Sequence, residues 1–432
     1  MTPASQRVLV VGAGMAGLRT AETLRGAGFA GEVLVVGEEP WAPYNRPPLS
    51  KQVLRDGSGH PALAFRPRAG AADVVWRLGT RVRHADLAAR VATLADGRTL
   101  GFDALVAASG VRARRLDVPG PGVGVRGRHV VRTLEDAVAL REELRPGARV
   151  VVIGAGFVGC EVAVAARHLG CTVACVALDP LPMLRPLGAV LAAELRRRHE
   201  RIGITFHLGA TVAALTGDHR VDGVALGDGT VLAADVVVEA VGSQPTTDWL
   251  GGQGLDLGDG VLTDAGLHPV TAGGRGLAQP LRHVVAAGDL ARFPNPRFSA
   301  GAHRVEHWSA AADTARRAGT VLAAGLASGF VPGPVEEVTW EALPSFWSDQ
   351  GDLRLQSYGM PGLADPGQTR LLHGSLDTEC VLGYFDQGEL LGVVGLGRGT
   401  AAVLAGYRAQ VGRGLVGGSL STGSSSPGGT WA

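Results

Sequence analysis

Lysine is almost absent from the chain, since Lys51 is the only lysine among 41 lysine and arginine residues. Arginine stands at nearly every other basic position, so a lysine without a special task should have been replaced as well. An ammonium and a guanidinium are not interchangeable where compact charge is needed. The stretch APYNRPPLSKQ (residues 42–52) is therefore a candidate functional segment.

Cysteine is also scarce, and none of the four cysteines precedes residue 160. Their positions (Cys160, Cys171, Cys175 and Cys380) form no metal-ligand pattern, so no metal site is predicted. In a cytoplasmic protein, which is the location we expect, these thiols would remain reduced.

An excess of charge and long apolar runs are missing too. The net charge of +1 argues against a nucleic-acid or membrane-surface protein. No apolar run reaches the roughly 18 residues of a membrane span, and MTPASQR leads directly into VLVVGAG without a signal-peptide pattern. A hydrophobic content of 46% over 432 residues predicts a globular protein of two or three domains.

An internal repeat is the main organisational signal. Residues 8–28 (VLVVGAGMAGLRTAETLRGAG) are echoed by residues 150–170 (VVVIGAGFVGCEVAVAARHLG), and each copy is typical of a strand, a G-x-G-x-x-G turn and a helix. Such glycines allow a tight turn and close approach of the backbone to a pyrophosphate, which the helix N-terminus attracts. Two nucleotide sites are predicted, at Gly12, Gly14 and Gly17 and at Gly154, Gly156 and Gly159.

The residues after each second strand bear on nucleotide choice. Glu38 follows the first copy, where a carboxylate can accept hydrogen bonds from an adenosine ribose. The corresponding residue of the second copy is Ala177, with Asp179 two residues later and Arg185 nearby. The pattern leaves NADH and NADPH both open.

Further strands divide the chain. HVVAAGDLARF (residues 283–293) predicts a strand ending at Gly288 and Asp289, where the carboxylate can accept from a ribityl hydroxyl; a plain turn aspartate is the alternative. We expect the second nucleotide unit, residues 113–244, to be inserted between residues 1–112 and 245–330 of the first. Antiparallel strands are predicted for residues 335–410, and residues 411–432 are predicted to be a flexible tail.

Seven motifs resemble FAD-dependent NAD(P)H:ferredoxin reductases of the putidaredoxin reductase, rubredoxin reductase and dioxygenase types. In chain order they are VVGAGMAGL, PYNRPPLSK, RTLEDA, VVIGAGFVGCEVA, AAGDLARF, RVEHW and FWSDQ, between about residues 7 and 400. The resemblance implies an α/β fold with two Rossmann-like, glutathione-reductase-like domains and a C-terminal α+β domain. It also implies FAD, NADH or NADPH, and a transient ferredoxin-type iron–sulfur partner that serves a haem-thiolate monooxygenase or a dioxygenase.

By position, the resemblance also assigns site residues. FAD contacts fall on Gly12, Gly14, Gly17, Glu38, Arg46, Lys51, Val82, Arg132, Asp289 and Trp308. Contacts to the nicotinamide nucleotide fall on Gly154, Gly156, Gly159, Glu161 and Gly242. Ala177 departs from the family, which generally has an acid there.

The segment around Lys51 distinguishes disulfide reduction from direct electron transfer out of the flavin. Disulfide reductases of the same fold carry a Cys-x4-Cys pair after the first unit, whereas this chain has PYNRPPLSK. Electrons must then leave the flavin directly, after hydride transfer from the nicotinamide. We expect Lys51 and Glu161 to be a catalytic pair, with the ammonium favouring negative charge on the reduced flavin. The alternatives are a solvated turn lysine and a helix N-terminal acid.

A basic docking face for an acidic ferredoxin is a weaker expectation, since the same arginines could form an ordinary solvated face. The candidates are Arg66, Arg68, Arg77, Arg81, Arg83, Arg292, Arg297 and Arg304. Trp347 is expected to be a core aromatic rather than a residue at the flavin edge. Two other functions stay open: a flavin oxidase or dehydrogenase acting on a small molecule, and an NADH-responsive sensor resembling apoptosis-inducing factor.

Overall fold

A computed structural model describes residues 6–271, 281–330 and 340–413. The low-complexity residues 417–432, predicted to be mobile, lie outside this part of the chain. Within the described residues, none of the helices combines the length and the apolar character needed to cross a membrane.

The helices and strands follow one another in chain order. The N-terminal part contains β1 (Arg7–Val11), α1 (Met15–Gly26), β2 (Glu32–Val36), α2 (Gln52–Asp56), α3 (His60–Leu63), β3 (Val75–Arg77), β4 (Val82–Asp86), β5 (Val91–Leu94), β6 (Thr99–Gly101), β7 (Ala104–Ala107) and β8 (Val111–Ala113). The middle part contains β9 (Arg128–His129), α4 (Leu134–Glu143), β10 (Arg149–Ile153), α5 (Phe157–His168), β11 (Thr172–Ala177), α6 (Leu184–Arg201), β12 (Ile204–Leu208), β13 (Val212–Gly217), β14 (Val221–Leu226), β15 (Val231–Ala233) and β16 (Val236–Glu239). The remaining part contains β17 (Ser243–Pro245), β18 (Val261–Leu262), β19 (Val284–Ala286), β20 (Ala291–Asn295), β21 (Ser299–Arg304), α7 (Trp308–Ser328), β22 (Ser345–Gln350), β23 (Leu353–Gly359), β24 (Thr369–Gly374), β25 (Cys380–Asp386), β26 (Glu389–Leu396) and α8 (Ala401–Tyr407).

The two copies of the repeat build two parallel sheets of the same design. The first has the order β19-β7-β1-β2-β3 and the second the order β12-β11-β10-β16-β9. β1 and β10 are apolar throughout their inner positions because helices cover both faces of such sheets. The predicted α/β fold class is therefore confirmed.

A short antiparallel ribbon joins the two units. β8 leaves the first unit and β17 returns to it, and they pair through Ala113 with Ser243 and Val111 with Pro245. After the return, β19 pairs with β7 and completes the first sheet.

The segment that contains the single lysine packs away from the first sheet. We call residues 44–63 the lysine segment; it begins with Tyr44 and includes a 3-10 helix at Pro47–Ser50, then α2 and α3. Its Leu49, Val53 and Leu54 are at most 2% exposed, and they belong to the core formed by α4, α5 and β10 of the second unit. The lysine segment therefore comes from the first unit but is anchored in the second.

The C-terminal part forms an antiparallel sheet, as the alternating sequence predicts. Its order is β22-β23-β26-β25-β24, and β22 packs close to α5 and α7. Along β22 the residues alternate between buried and half-buried positions, with Phe346, Ser348 and Gln350 on the buried face. This alternation brings polar side chains of the third unit toward the second.

Candidate functional site

A cavity of about 880 Å³ lies at the junction of the three units. Its wall includes the first glycine turn, the lysine segment, the start of α5, and Phe346 and Trp347 of β22. The predicted site residues in this wall are Gly12, Gly14, Glu38, Arg46, Lys51, Val82, Arg132, Glu161, Gly288, Asp289 and Trp308. The predicted residues outside the wall are Gly17, Gly154, Gly156, Gly159 and Gly242.

The first glycine turn has the shape that a dinucleotide requires. Gly12 has φ +120°, and a Cβ on it would lie 2.1 Å from the carbonyl oxygen of Ala108. A Cβ on Gly17 would lie 2.0 Å from the carbonyl oxygen of Gly12, so α1 and β1 pack as closely as the backbone allows. A Cβ on Gly14 would meet no described atom within 4 Å. That open space, at the N-terminus of α1 and inside the cavity, fits the pyrophosphate of FAD.

The second glycine turn repeats this geometry. Gly154 has φ +105°, and a Cβ there would lie 2.2 Å from the carbonyl oxygen of Ala240; a Cβ on Gly159 would lie 2.0 Å from the carbonyl oxygen of Gly154. Gly156 again faces open space at the start of a helix, here α5. The residues therefore fit a second dinucleotide, outside the wall of the first cavity.

Lys51 and Glu161 form an ion pair across the junction of the two units. The Lys51 Nζ lies 2.6 Å from Glu161 Oε2, and the Glu161 side chain is only 5% exposed. Lys51 Nζ also donates to the carbonyl oxygen of Pro47 at 3.1 Å, and Ser50 Oγ donates to Glu161 Oε2 at 2.5 Å. Proline restricts the backbone before the lysine, and the half-buried ammonium is held facing the cavity.

Arg46 lies in a second polar cluster of the cavity wall. Its Nη2 donates to Glu39 Oε1 at 2.5 Å and its Nη1 to the carbonyl oxygen of Arg132 at 2.7 Å. Burial disfavours the charge on Arg46, yet the Glu39 carboxylate keeps the pKa of Arg46 above its ordinary value. Glu39 also accepts from the hydroxyl of Tyr44 at 2.5 Å. Sequence reasoning missed Glu39, although it is the second acid of GEEP; Glu38, the acid it selected, is 63% exposed and lies 3.6 Å from Arg81.

Asp289 is held at the end of a strand by a basic neighbour. Arg132 Nη2 donates to Asp289 Oδ2 at 3.1 Å. The preceding Gly288 has φ +79° and donates its N–H to Thr314 Oγ1 of α7 at 2.9 Å. The carboxylate therefore lines the cavity with a fixed orientation, which is the placement that contact with a ribityl chain would need.

Two tryptophans line one side of the cavity. The rings of Trp308 and Trp347 meet edge to face with centroids 5.8 Å apart, and Trp308 Nε1 donates to Asn45 Oδ1 at 3.0 Å. The expectation that Trp347 is a core aromatic is wrong, because the alternation along β22 places it on the half-buried face. An aromatic wall of this kind can stack against a planar ring.

His307 is a cavity residue that sequence reasoning overlooked inside the motif RVEHW. It packs edge to face against Phe346, with centroids 5.4 Å apart. Burial lowers the pKa of His307 to about 4, so the ring is neutral at neutral pH. It contributes bulk and no charge to the wall.

The two arginine groups differ in the structure. Arg66, Arg68, Arg77, Arg81 and Arg83 are all exposed, and Arg81 and Arg83 reach the cavity wall. The second group is not a docking face.

Each member of the second group has a structural partner. Arg304 is buried and donates to Asp259 at 2.8 Å, Arg292 lies 2.7 Å from Asp256, and Arg297 donates to the carbonyl oxygen of Val411. The expectation of docking at these three positions is wrong, because their guanidinium groups hold the chain's own carboxylates and carbonyls.

The cysteines lie away from the cavity wall. All four are buried as free thiols, and burial raises the pKa of Cys175 to about 12. No group of residues suited to a metal ion occurs in the described part of the chain.

The residues that bear on nucleotide choice lie at the end of β11 in the second unit. Ala177 is the last residue of β11 and is buried. Asp179, on the loop that follows, lies 3.9 Å from Arg185 at the start of α6.

Comparisons with known proteins follow the same division of the chain. Residues 6–315 match the pyridine nucleotide-disulphide oxidoreductase family and residues 345–413 match the reductase C-terminal family. The chain is 37% identical to the ferredoxin–NAD(+) reductase component of the p-cumate 2,3-dioxygenase system of Pseudomonas putida, over 82% of this chain and 81% of that protein. It is 34% identical to rhodocoxin reductase of Rhodococcus erythropolis, over 89% and 85%.

Solved structures give the same result. A ferredoxin reductase from Rhodopseudomonas palustris superposes with a TM-score of 0.81 at 33% identity, covering 92% of this chain and 93% of that chain. Putidaredoxin reductase in its covalent complex with putidaredoxin superposes with a TM-score of 0.83 at 28% identity, covering 94% and 93%.

Proposed function

The chain belongs to the pyridine nucleotide-disulphide oxidoreductase family, and from this premise we propose that it is an FAD flavoprotein that passes electrons from NAD(P)H to a ferredoxin-type iron–sulfur protein. Of the relatives named above, one is the ferredoxin–NAD(+) reductase component of a dioxygenase system and the other is rhodocoxin reductase, and the chain covers more than four fifths of each. The proposal includes a haem-thiolate monooxygenase or a dioxygenase as the final recipient of the electrons. It also includes a cytoplasmic location, where reduced nicotinamide nucleotide is available.

The ion pair between Lys51 and Glu161 is the observation that carries this function. It joins the unit that would bind FAD to the unit that would bind the nicotinamide nucleotide, at a separation of 2.6 Å. Residues 1–112 and 245–330 would hold FAD, and residues 113–244 would hold NAD(P)H. The site residues assigned by resemblance form part of the same proposal.

The residues of the cavity wall would have different roles in this reaction. The wall would hold FAD, which would supply the chemistry that links two-electron transfer from a nicotinamide to single-electron transfer to an iron–sulfur protein. Lys51 supplies a preorganised positive charge where negative charge develops, and Glu161 orients that ammonium. Trp308 and Trp347 give the same region an aromatic wall, against which the planar ring of a flavin could pack.

The cavity wall favours direct electron transfer over thiol chemistry. A disulfide reductase of this fold needs a dithiol next to the flavin, and the lysine segment occupies the corresponding place in the sequence. Cys160, which follows the last glycine of the second turn, is fully buried, and burial raises its pKa well above the ordinary value. A neutral, buried thiol is a poor nucleophile.

Anaerobic stopped-flow spectroscopy tests the proposal. The holoenzyme is mixed with NADH or NADPH, and candidate ferredoxins are then added with cytochrome c as the terminal reporter. We expect the flavin absorbance to bleach rapidly with one or both nucleotides, and cytochrome c to be reduced only when a ferredoxin is present. Turnover of a small molecule without an iron–sulfur protein would instead indicate a flavin dehydrogenase. A long-lived charge-transfer complex that ferredoxin does not discharge would indicate a redox sensor.

A further inference from the structure

Two polar residues of the C-terminal sheet are buried against the second nucleotide unit. Ser348 is 0% exposed and Gln350 is 3% exposed, and both lie on the buried face of β22 with Phe346. Burying a polar group without a partner is costly, so each should have a specific contact.

Ser348 makes its contact with the proposed catalytic carboxylate. Ser348 Oγ donates to Glu161 Oε1 at 2.6 Å. The other carboxylate oxygen, Glu161 Oε2, receives Lys51 Nζ at 2.6 Å and Ser50 Oγ at 2.5 Å. Each oxygen of the carboxylate is therefore held from a different side.

Gln350 fixes the direction of the serine hydroxyl. Its Nε2 donates to Ser348 Oγ at 3.0 Å, and the same nitrogen lies 3.2 Å from the Met183 sulfur. A hydroxyl has one proton to donate, so a serine that accepts from Gln350 is oriented to donate to Glu161. The hydrogen bonds run in one direction, from Gln350 through Ser348 to Glu161 and its ion pair with Lys51.

We propose that Ser348 and Gln350 are positioning residues that lock the rotation of the Glu161 carboxylate, so that the C-terminal sheet takes part in hydride transfer through Lys51. The terminal torsion of a glutamate is intrinsically broad. Without the donor to Oε1, the carboxylate would be held only through Oε2, by Lys51 and Ser50, and could turn about that oxygen. The ammonium of Lys51 would then lose part of its fixed orientation. This inference rests on the proposed role of the Lys51–Glu161 pair.

Ser357 offers a matched control for Ser348. It lies on β23, the neighbouring strand of the same sheet, and is also 0% exposed. Its hydroxyl has no hydrogen-bond partner among the described residues. Ser357→Ala therefore makes the same chemical change at the same degree of burial without touching Glu161.

The experiment compares Ser348→Ala with Ser357→Ala. Flavin reduction is followed anaerobically over a range of NADH and NADPH concentrations, which separates the limiting rate from the nucleotide dissociation constant. We expect Ser348→Ala to lower the limiting rate about tenfold or more, since hydrogen bonds to charged groups are among the stronger ones. The dissociation constant should stay within about twofold, and Ser357→Ala should match the wild type.

Two further variants keep the test informative if Ser348→Ala folds poorly. Ser348→Cys retains a weak donor of similar size and should recover part of the rate. Gln350→Met removes the donor to Ser348 at similar volume and should slow reduction less than Ser348→Ala. Wild-type limiting rates in both variants would overturn the inference.

A double-mutant cycle and a crystal structure separate this inference from the proposed function. If Ser348 acts through Glu161, adding Ser348→Ala to Glu161→Gln should cost nothing further. Crystals of Ser348→Ala should show the Lys51–Glu161 ion pair broken or split between two orientations, a readout that does not depend on turnover. A wild-type rate in Glu161→Gln would overturn the role of the pair, and the inference with it. A slow Glu161→Gln beside a Ser348→Ala with the wild-type rate and an intact ion pair would overturn the inference alone.

Discussion

At the scale of single residues, the oxygen atoms around the ammonium of Lys51 fix the position of this side chain. Its side chain is 19% exposed, and it contacts both a buried carboxylate and a backbone carbonyl of its own turn. A guanidinium is larger and planar, and it cannot take the same two contacts from the same backbone position. This geometry supplies a physical reason why one lysine remains in an arginine-rich chain.

We therefore predict that Lys51→Ala lowers the limiting rate of flavin reduction by about a hundredfold, the usual effect of removing one preorganised donor. Lys51→Arg should be nearly as slow, because the guanidinium restores the positive charge but not the compact geometry of the ammonium. Stopped-flow absorbance of the flavin measures both. Arg55→Ala, which removes a 67% exposed cation from the same segment, is the control and should behave as the wild type. A fully active Lys51→Ala with normal flavin content would rule out the assigned role.

His199 makes the stability of the fold depend on pH. His199 lies near the end of α6 with its ring stacked on Phe206, and burial lowers its pKa from 6.5 to about 4. Between these values the unfolded chain binds a proton that the folded chain does not, so stability decreases as the pH falls below about 6.5. The loss is complete below about pH 4, where both states are protonated.

We predict that this residue lowers the free energy of unfolding by about 2 kcal/mol between pH 7 and pH 5. His199→Leu should remove that part of the pH dependence, as measured by urea unfolding at the two pH values. His219→Leu, at a side chain that is 98% exposed, should leave the dependence unchanged. Equal pH dependence in the wild type and His199→Leu would contradict the assignment.

The residue scale also shows the limit of prediction from sequence. Lys51 and Glu161 could be named because motif spacing identifies them, but Ser348 could not, since its role depends on contact between distant strands. A usable signal was nevertheless present: in FWSDQ, a period of two places Ser348 and Gln350 on the same face as Phe346. Polar residues on a buried strand face need partners.

At the scale of elements, the two glycine turns are the same structure used twice. Both first glycines have positive φ values, and both third glycines pack against the carbonyl of the first. The middle glycines differ from these, because Gly14 and Gly156 have φ values of −85° and −81°, which alanine also adopts. A methyl group at Gly14 or Gly156 should therefore leave the protein backbone undisturbed and should interfere only with a bound nucleotide.

Substitution of these middle glycines should separate the two nucleotide sites. Gly14→Ala is predicted to leave the stability of the apoprotein unchanged and to weaken FAD binding about tenfold or more, because its Cβ enters the space of the pyrophosphate. Gly156→Ala should retain full flavin content and weaken only NAD(P)H binding. Flavin content after dialysis and the nucleotide dependence of flavin reduction measure the two effects. An equal loss of FAD in both variants would contradict the assignment of sites.

The repeat made these elements predictable, since a strand, a glycine turn and a helix leave a local pattern in the sequence. The placement of the lysine segment left no such pattern. Leu49 of the 3-10 helix and Val53 and Leu54 of α2 are apolar, as buried residues should be, but the sequence does not say which core receives them. In the structure they lie in the core of the second unit, which the chain enters after β2 and leaves before β3.

At the scale of the whole molecule, charge is nearly balanced but unevenly distributed. The net charge is +1, yet residues 66–83 carry five exposed arginines, of which Arg81 and Arg83 line the cavity. An acidic ferredoxin would be attracted to this face, and such attraction weakens as salt screens it.

We predict that reduction of an acidic ferredoxin slows several-fold as ionic strength rises, whereas reduction of the flavin by NAD(P)H does not. The double variant Arg66→Glu with Arg77→Glu should slow ferredoxin reduction at low salt and reduce its salt dependence. Arg145→Glu reverses an exposed arginine of the second unit, outside residues 66–83, and is the control. Rates of ferredoxin reduction that do not depend on salt would exclude this face as the docking surface.

The anchoring of the lysine segment has a consequence for motion. Because this segment is buried in the core of the second unit, we expect Lys51 and Glu161 to move together. Any rotation between the units would carry ammonium and carboxylate together, toward or away from the first glycine turn, without separating them. The second unit would thus carry the intact ion pair to the flavin. The distance between the two units would then control the rate of electron transfer.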